Sequence, residues 1–447
     1  MKLFSILVST SLVLIQTTAT STADQGANHA NQGSVLRYGT PESVGMDPLP
    51  LQEMVANLTG YTTAANYGRF SFNVIKPIEP GGTVLVGRKN TIVSAFAFGK
   101  KNIYADSNGT LLPPHLQEAA DLDTVYDMAS LTKIFTTVAT LREIDSGKLK
   151  LNATVATYVP EYAVNGKANI TLLMLLTHTS GFDADPAPSL CSSEYPTYDK
   201  KIEAIITQGL INSPGSKFLY SDLNFMSLMI ILERVTKKPL EKLIAEFTSP
   251  LGMHSTFFNR GNVEGPKNPF YWRSAAQEFQ IEVLGDSEPQ RPQPVRGSVH
   301  DENAYCMDGV CGHAGLFSTV RDTAVLCQMI LNNGTYGGRR ILSQESVDNL
   351  FTNFNARFNN INDDHGLGLE LNQYYTAGPL ASLQTASHTG FTGTSMVIDR
   401  AHNTFYLHFS NRVHPSRTWS SNNIVREALG YWVAKGLRLD VQFPTLS

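Results

Sequence analysis

Two short runs near the N-terminus show the alternation of apolar and polar positions that is typical of β-strands. Residues Thr83 to Val86 and Thr91 to Phe98 are rich in β-branched and aromatic side chains, and Lys89-Asn90 joins them as in a hairpin. Upstream, apolar residues recur at helical spacing from Leu49 to Leu58, with Asp47 as the candidate N-cap. The pattern therefore predicts a helix followed by a β-hairpin.

The C-terminal part repeats this arrangement in the opposite order. Strand-like runs from Thr394 to Asp399 and from Thr404 to Ser410 flank the turn Ala401-His402-Asn403. A helical pattern follows from Ile424 to Ala434 and ends at Gly436. A hairpin and a terminal helix at each end predict one antiparallel sheet, built from both ends of the chain, with helices on its faces.

The middle of the chain is patterned as helices. One apolar stripe consists of Ile134, Val138, Leu141 and Ile144, and another runs from Leu223 to Val235. Further on, Thr319-Val320-Arg321-Asp322 matches a capping box and predicts another helix start.

These patterns divide the chain into two interleaved subdomains. We predict a sheet subdomain from residues 36–125 and 311–447, with an all-helical subdomain, residues 126–310, inserted between its two parts. Residues 259–310 are rich in Pro, Gly, Gln and charge, which predicts a loop-rich excursion beside a cleft. The expected fold class is α/β, of the α+β kind.

The first residues resemble a secretory signal. Met1-Lys2 precedes an apolar run from Leu3 to Ile15 and then small residues, which predicts a signal peptide over residues 1–23 and a linker over residues 24–35. An uncleaved N-terminal anchor is the alternative, although the run is short and interrupted for a membrane span. We therefore expect a secreted, extracellular protein without a stable membrane span after cleavage.

Sequons and cysteines fit that destination. Five Asn-x-Ser/Thr sequons are glycosylation candidates: Asn57, Asn108, Asn152, Asn169 and Asn333. Of the four cysteines, Cys306 and Cys311 are close enough in sequence to close a small loop, and this is the disulfide we predict. Cys327 falls on an apolar helix face and is expected to be a buried free thiol.

Charge and missing motifs exclude several classes of protein. The formal net charge of −4 gives no basic surface for nucleic acid. The chain lacks Gly-x-Ser-x-Gly, His-Glu-x-x-His and Gly-x-Gly-x-x-Gly, which argues against an α/β-hydrolase, a zincin and a dinucleotide enzyme. His178 and His313 lack a ligand cluster of the usual spacing and are interpreted as hydrogen-bonded loop histidines, so we expect no metal and no cofactor.

The candidate chemistry starts at Ser130-Leu131-Thr132-Lys133. Ser130 is the only serine followed by lysine at the third position, and the two side chains would share a helix face. A serine hydroxyl needs a neighbouring base to act as a nucleophile, and partial desolvation would lower the pKa of Lys133 and make its amine available. Ser130 as a mere N-cap, beside an ordinary exposed lysine, is the alternative.

Two further motifs follow in order. Tyr220-Ser221-Asp222, with Asn224, comes after a turn signal, and His388-Thr389-Gly390 lies between two hydrophobic stretches. Serine, tyrosine and a small-residue strand motif in this order resemble the active site of serine β-lactamases and penicillin-binding proteins, most closely the class C branch and its esterase and D-aminopeptidase relatives. Further segments resemble that family: Leu175 to Gly181, Phe218 to Phe225, Val299 to Ala304 and Gly312 to Thr319.

The resemblance implies a β-lactamase/transpeptidase-like fold and particular residue roles. Lys133 and Tyr220 would share proton transfer, and the backbone N–H groups of Ser130 and Phe391 would form the oxyanion hole. His388, Thr389 and Gly390 would line the substrate cleft, together with Asp222 and Asn224. A core tyrosine is the alternative for Tyr220.

Two positions depart from the family pattern. His388 replaces the usual lysine and is mostly neutral near pH 7, so it would anchor a substrate carboxylate weakly. Asp222 stands where asparagine is more common, and its carboxylate would suit a substrate amide N–H or a cation. Recognition of β-lactams and acyl-D-Ala-D-Ala is therefore less expected than ester hydrolysis.

The predicted function is a secreted serine hydrolase that forms an acyl-enzyme on Ser130. Its substrate would be a small ester, an amide or a peptide-like molecule, with no nucleic-acid partner. Transfer of the acyl group to an alcohol or amine by the same Ser-Lys-Tyr site is one alternative. A non-catalytic binding protein on the same fold is the other.

Overall fold

The computed structural model describes residues 35–72, 74–285 and 289–445. The predicted signal peptide and all of the predicted linker except Val35 lie outside the described residues. Within these ranges, no helix combines the length and the hydropathy needed to span a bilayer.

The described part of the chain contains thirteen strands in three sheets. They are β1 (Arg37–Tyr38), β2 (Gly81–Arg88), β3 (Thr91–Asn102), β4 (Glu118–Ala119), β5 (Tyr126–Asp127), β6 (Phe257–Phe258), β7 (Leu316–Ser318), β8 (Thr335–Tyr336), β9 (Arg339–Arg340), β10 (Glu370–Leu371), β11 (Thr385–Thr389), β12 (Ser395–Asp399) and β13 (Thr404–Ser410).

The large sheet joins the two ends of the chain. Its strand order is β1-β3-β2-β13-β12-β11-β10, and β4 pairs with β3. The hairpins β2–β3 and β12–β13 are those predicted from the sequence, and β2 pairs antiparallel with β13, with Leu85 opposite Leu407. Only β1 runs parallel to its neighbour among these described strands. The predicted antiparallel sheet is confirmed.

Thirteen α-helices occur in the described residues. They are α1 (Pro48–Gly60), α2 (Thr132–Asp145), α3 (Val155–Tyr158), α4 (Leu172–Leu176), α5 (Tyr198–Thr207), α6 (Asp222–Thr236), α7 (Leu240–Thr248), α8 (Gln280–Leu284), α9 (Glu302–Cys306), α10 (Val320–Leu331), α11 (Gln344–Leu350), α12 (Tyr374–Ala377) and α13 (Asn423–Gly436).

The predicted helix starts are confirmed by their caps. The Asp47 carboxylate accepts the backbone N–H of Leu49 at 3.0 Å. Thr319 Oγ1 accepts the backbone N–H of Asp322 at 3.3 Å. Such bonds satisfy N–H groups that a helix leaves without partners at its N-terminus.

Side-chain alternation along the strands gives the large sheet two apolar faces. Val84 and Val86 of β2 point into a cluster formed with α1 and α13, whereas Leu85 points into the main core. Successive side chains of a strand point to opposite faces, so a continuously buried strand feeds two layers. Helices α1 and α13 pack together on one face, and α10 packs on the other against β2 and β13.

The inserted part is built around α6, which packs against α2, α4 and α5. Its residues from Leu223 to Leu232 are all buried, as expected for a helix surrounded by others. The small sheet β5-β7-β6 lies in this region and brings β5 to the start of α2. In the described part of residues 259–310 the helices are short. The subdomain boundaries and the cleft-side excursion stay predictions.

The predicted disulfide was wrong. Cys306 is bonded to Cys191, with 5.3 Å between their Cα atoms, whereas Cys311 is a buried free thiol. After α9 the chain turns inward, so Cys311 lies in the main apolar core while Cys306 faces the loop that carries Cys191. Proximity in sequence therefore did not decide the pairing. Cys327 is a buried free thiol, as predicted.

The sequon asparagines differ in accessibility. Four of them, Asn108, Asn152, Asn169 and Asn333, are exposed, whereas Asn57 is half-buried. The Asn57 side chain also accepts a hydrogen bond from Trp432 Nε1 at 2.9 Å. Glycosylation of any of them stays a prediction, and the exposed four are the better acceptors.

Candidate active site

Ser130 lies at the junction between a short strand and a helix. β5 ends at Asp127, and Ser130 is the middle residue of a 3-10 turn, Ala129–Leu131, that runs directly into α2. Ala129 has a φ of 45°, a left-handed conformation that a non-glycine residue keeps only where surrounding contacts stabilise it. The Asp127 carboxylate supplies them, because it accepts the backbone N–H groups of Ala129 at 2.8 Å and His300 at 2.6 Å. The turn presents Ser130 at the N-terminal end of a helix.

The end of β11 approaches this turn at Gly390. A Cβ atom there would lie 2.1 Å from Thr394 Oγ1 and 2.5 Å from the Met128 carbonyl oxygen, so the position requires glycine. The glycine thus lets this strand end pack against the Met128 carbonyl at the start of the serine turn. In the part of the chain that the structure describes, the backbone N–H groups of Ser130 and Phe391 donate to no protein acceptor. Both are available to a ligand oxygen.

Gly390→Ala is expected to displace β11 from the serine turn. Because misplacement of reacting groups by about 1 Å can cost about 100-fold in rate, we expect a loss of that order in kcat/KM on a p-nitrophenyl ester. Overpacking should also lower the free energy of unfolding by about 1–3 kcal/mol. Gly209→Ala is the matched control, since nothing lies within 4 Å of a Cβ atom at Gly209. Equal activity of both variants would contradict the expectation.

Tyr220 lies on the loop that leads into α6. The ring of His178 stacks on the Tyr220 ring with 4.5 Å between centroids, and His178 Nδ1 accepts the backbone N–H of Ser221 at 3.0 Å. The backbone N–H of Asp222 donates to the Ala184 carbonyl at 2.7 Å. These contacts fix the loop on both sides of Tyr220. His178 is therefore a hydrogen-bonded loop histidine, as interpreted from the sequence.

Ser130, Lys133 and Tyr220 meet at one point. Lys133 Nζ donates to Ser130 Oγ at 2.9 Å and lies 4.8 Å from the centroid of the Tyr220 ring. The Tyr220 hydroxyl interacts with both Lys133 and Ser130. Lys133 is fully buried, while Ser130 and Tyr220 are partly accessible from the cleft. The structure thus brings together the three residues that the sequence singled out.

The electrostatics of Lys133 differ from the expectation. Burial alone lowers the pKa of this amine, but the Asp222 carboxylate lies 2.7 Å from Nζ, and its attraction, with a smaller contribution from Tyr220, raises the pKa above its ordinary value. The predicted lowering was wrong because no sequence pattern indicated that Asp222 would pair with the lysine. At neutral pH, Lys133 is an ammonium.

Burial also keeps Tyr220 and His388 uncharged. It raises the pKa of Tyr220 to about 12, against the lowering effect of Lys133. Burial and the nearby Lys133 lower the pKa of His388 to about 3, so the imidazole is neutral as expected. His388 Nδ1 donates to the Thr389 carbonyl at 2.8 Å, which leaves Nε2 as an acceptor. The position therefore carries no fixed positive charge.

The remaining predicted residues divide between the cleft and the interior. Thr389, Gly390 and Phe391 line the cleft, and the Phe391 side chain is 47% exposed. Asn224 is fully buried behind it, with its side chain bonded to Ser180 Oγ at 2.5 Å and to His178 Nδ1 at 3.0 Å. Asn224 supports the Tyr220 loop and does not reach the cleft.

Ser130 lies where two cavities adjoin. Ser130, Tyr220, Phe391 and Arg417 line both a cavity of about 690 Å³ and one of about 510 Å³. Ser130 is thus flanked by two distinct cavities. A substrate with groups on both sides of a scissile bond would fill both cavities.

The two cavities differ in charge. Arg412 and Arg426 line the larger one together with a single acid, Glu370, whereas the acids Asp185, Asp222, Asp301 and Glu302 line the smaller one. Burial and the neighbouring acids Asp222 and Asp301 raise the pKa of Asp185 to about 6. The substrate cleft is therefore basic on one side of Ser130 and acidic on the other.

His313 pairs with Asp301 beside this acidic cavity. His313 Nε2 lies 2.9 Å from Asp301 Oδ1. Although burial opposes both charges, their mutual attraction lowers the pKa of Asp301 and raises that of His313. Asp222, Asp301 and His313 place potential metal ligands within 4.8 Å of one another. The Lys133 ammonium already lies next to Asp222 and supplies the positive charge beside this cluster.

Several cleft residues were missed from the sequence, among them Arg412, Arg426 and Asp301. They belong to no short catalytic motif, although Asp301 lies in a segment that resembles the family. Arg412 follows β13 and Arg426 lies on α13, and only the folded chain brings them beside Ser130. No short motif could indicate these arginines, because they lie far from Ser130 along the chain.

Comparison with known proteins identifies the family of the chain. The family described as "Beta-lactamase" matches residues 24–430. A relative from Escherichia coli (strain K12), named "Putative D-alanyl-D-alanine carboxypeptidase", is 34% identical over 406 residues, which cover 85% of this chain and 86% of the relative.

Solved structures share the fold. The penicillin-binding protein homologue from Pyrococcus abyssi, described as octameric, has a TM-score of 0.62 at 19% identity and covers 88% of this chain and 78% of its own. EstCE1, described as a hydrolase with promiscuous acyltransferase activity, has a TM-score of 0.60 at 20% identity and covers 86% of this chain and 99% of its own. The chain belongs to the β-lactamase family and is a serine hydrolase.

Proposed function

We propose that this hydrolase forms an acyl-enzyme on Ser130 and cleaves an ester or amide whose carboxylate lies against Arg412 and Arg426. The observation that carries the proposal is the 2.9 Å contact between Lys133 Nζ and Ser130 Oγ in an accessible cleft. A serine beside a proton-transferring group is activated for nucleophilic attack.

The steps follow from the positions of the groups. Ser130 Oγ attacks the substrate carbonyl while its proton leaves toward Lys133. The backbone N–H groups of Ser130 and Phe391 stabilise the oxyanion that forms on the carbonyl oxygen. Tyr220 and Lys133 return a proton to the leaving group, and water then releases the acyl group from Ser130 by the same route in reverse.

The arginines supply the charge that His388 lacks. Arg412 donates to the carbonyls of Phe391 at 3.0 Å and Ser420 at 2.8 Å, and Arg426 donates to those of Gly390 and Thr394 at 3.1 Å. Neither guanidinium forms an ion pair with a carboxylate in the described ranges. Two cations that no direct ion pair neutralises, in a cavity where Glu370 is the one acidic residue of the described lining, favour a substrate carboxylate.

This charge can be tested with two esters. Arg412→Gln should lower kcat/KM for p-nitrophenyl hemisuccinate by about 10- to 100-fold, because hydrogen bonds to charged groups contribute about 1.5–3 kcal/mol. Hydrolysis of p-nitrophenyl butyrate should change less than about threefold, as it carries no carboxylate. Lys200→Gln, at an exposed position, is the control. Equal losses on both esters would contradict carboxylate recognition.

Hydrolysis and acyl transfer are two outcomes of the same acyl-enzyme. Both activities are named for EstCE1, and the second cavity beside Ser130 offers space for an alcohol or amine acceptor. Substrate profiling with p-nitrophenyl esters, nitrocefin and D-amino-acid amides, with and without added methanol, tests the proposal. Free acid as the main product supports a hydrolase, and a dominant methyl ester would identify an acyltransferase.

Secretion is part of the proposal. It is supported by the apolar N-terminal run and by the Cys191–Cys306 disulfide, since disulfides persist in oxidising compartments. Intact mass of protein recovered from the culture medium should correspond to a chain that starts near residue 24. A chain retained in cells with Met1 in place would contradict it.

A further inference from the structure

Lys133 is surrounded by oxygen atoms. Its Nζ donates to Ser130 Oγ at 2.9 Å and to the His313 carbonyl at 3.2 Å, and it lies 2.7 Å from Asp222 Oδ1. An ammonium has three N–H donors and no acceptor. Two of these oxygens accept N–H groups of Lys133, and the third, Asp222 Oδ1, is an ion-pair contact. This environment suits a protonated Lys133 in the resting enzyme.

A protonated lysine cannot take a further proton from Ser130. It can do so only after one of its own protons has left. Of its three neighbours, the Ser130 hydroxyl is the donor in question and the His313 carbonyl is not a base at neutral pH. Asp222 is the one carboxylate in contact with the ammonium among the described residues. Tyr220 is a neutral phenol at rest, so it offers no alternative acceptor.

We propose that Asp222 is the final acceptor of the Ser130 proton and acts through Lys133. In the acylation step, a Lys133 N–H bond breaks first and an O–H bond forms on Asp222. The neutral amine then turns its lone pair toward Ser130, whose O–H bond breaks as a new Lys133 N–H bond forms. The Ser130 electron pair forms the C–O bond to the substrate carbonyl, whose π electrons move to the oxyanion. Lys133 is again an ammonium at the end of the step, and Asp222 returns its proton through Lys133 when the leaving group departs.

The Lys133–Asp222 pair is surrounded by charged groups of both signs. His313 and Asp301, which pair with each other, both lie close to Asp222, and Asp301 raises the pKa of His313 against the effect of burial. The acids and histidines of other elements complete the electrostatic environment of the pair. The titratable groups that face Asp222 or Lys133 are Asp185, Tyr220, His178, His388, Asp301, His313 and Glu370.

Asparagine, which resemblance to the family would place at this position, provides the test. An amide occupies nearly the same space as the carboxylate but accepts no proton at neutral pH. If Asp222 only positioned Lys133 or contacted substrate, Asp222→Asn would behave like the family pattern and keep its pH dependence. If Asp222 is the acceptor, acylation must then wait for a neutral Lys133.

The experiment measures the acylation rate from pH 4 to 11, by the burst of p-nitrophenol from p-nitrophenyl acetate. Asp222→Asn should acylate about 100-fold or more slowly than the wild type at pH 7, and its rate should rise about tenfold per pH unit into the alkaline range. The wild type should instead lose activity only on the acidic side, as Asp222 becomes protonated. Asp222→Glu should recover most of the rate and the acidic limb. Asp199→Asn, at an exposed position, should behave as the wild type.

The outcomes separate this inference from the proposed function on which it rests. An Asp222→Asn variant that acylates within about threefold of the wild type, or that is slower with an unchanged pH profile, overturns the proton acceptor while Ser130 remains the nucleophile. A burst that persists in Ser130→Ala overturns the acyl-enzyme itself. Circular dichroism of each variant confirms that it is folded before rates are compared.

Discussion

Ser130→Ala is expected to abolish acyl-enzyme formation. The substitution removes the oxygen that Lys133 contacts at 2.9 Å, and with it the only atom of the turn that can form the covalent bond. Activity on p-nitrophenyl esters should fall by on the order of 10³-fold or more. Labelling by a fluorophosphonate probe, followed by intact mass spectrometry, should show a one-to-one adduct on the wild type and none on the variant.

We expect the activity of Ser130→Ala to be lost because the nucleophile is missing and not because the variant fails to fold. Ser130 contributes one hydrogen bond from an ammonium to the fold, so the free energy of unfolding should change by about 1–3 kcal/mol at most. Ser216→Ala, in the exposed loop before Tyr220, is the matched control and should label normally. A variant that lacks Ser130 yet labels like the wild type would assign the nucleophile to another residue.

Lys133→Met is expected to have an effect of similar size. Methionine has a similar length but transfers no proton, and it leaves Asp222, which is 17% exposed, without its cation. Acylation should slow by on the order of 10³-fold or more because no side chain in contact with Ser130 can then accept its proton. Stability should fall by about 3–5 kcal/mol when this largely buried pair is broken, unless Asp222 takes up a proton. Burst kinetics and thermal unfolding measure the two effects.

Lys133→Arg separates charge from proton transfer. Arginine keeps a cation beside Asp222 but holds its protons at every accessible pH. This variant should unfold at a higher temperature than Lys133→Met and be as slow in acylation. Retention of more than about a tenth of the wild-type rate would show that a positive charge alone suffices.

Local patterns predicted much of the fold. The two hairpins follow from alternation and turn residues around Lys89-Asn90 and Ala401-His402-Asn403, and the caps at Asp47 and Thr319 were visible as single residues. These features depend on neighbours a few positions away, where sequence patterns are informative. A common sheet for the two hairpins was predicted, whereas the pairing of β2 with β13 within it came from the structure.

Features that depend on distant residues were not predictable. Asp222 was recognised as a departure from the family pattern, but its ion pair with Lys133 joins α6 to α2 and reverses the expected pKa change. The partner of Cys306 lies 115 residues away in sequence. Arg412 and Arg426 reach the cleft only because β13 and α13 bring them beside the Ser130 turn.

The Cys191–Cys306 bond has a consequence for handling the protein. Tyr220 and Asp222 both lie inside the covalent loop that it closes, and Asp185 lies on the segment that enters it. In the chain-entropy description, a crosslink over this span restricts the unfolded chain by about 5 kcal/mol. Material made in a reducing cytosol would lack this restraint. Without the disulfide, the loop that carries Tyr220 and Asp222 would be less restrained. Gly390, on the opposite side of the cleft, would keep its packing against the Ser130 turn.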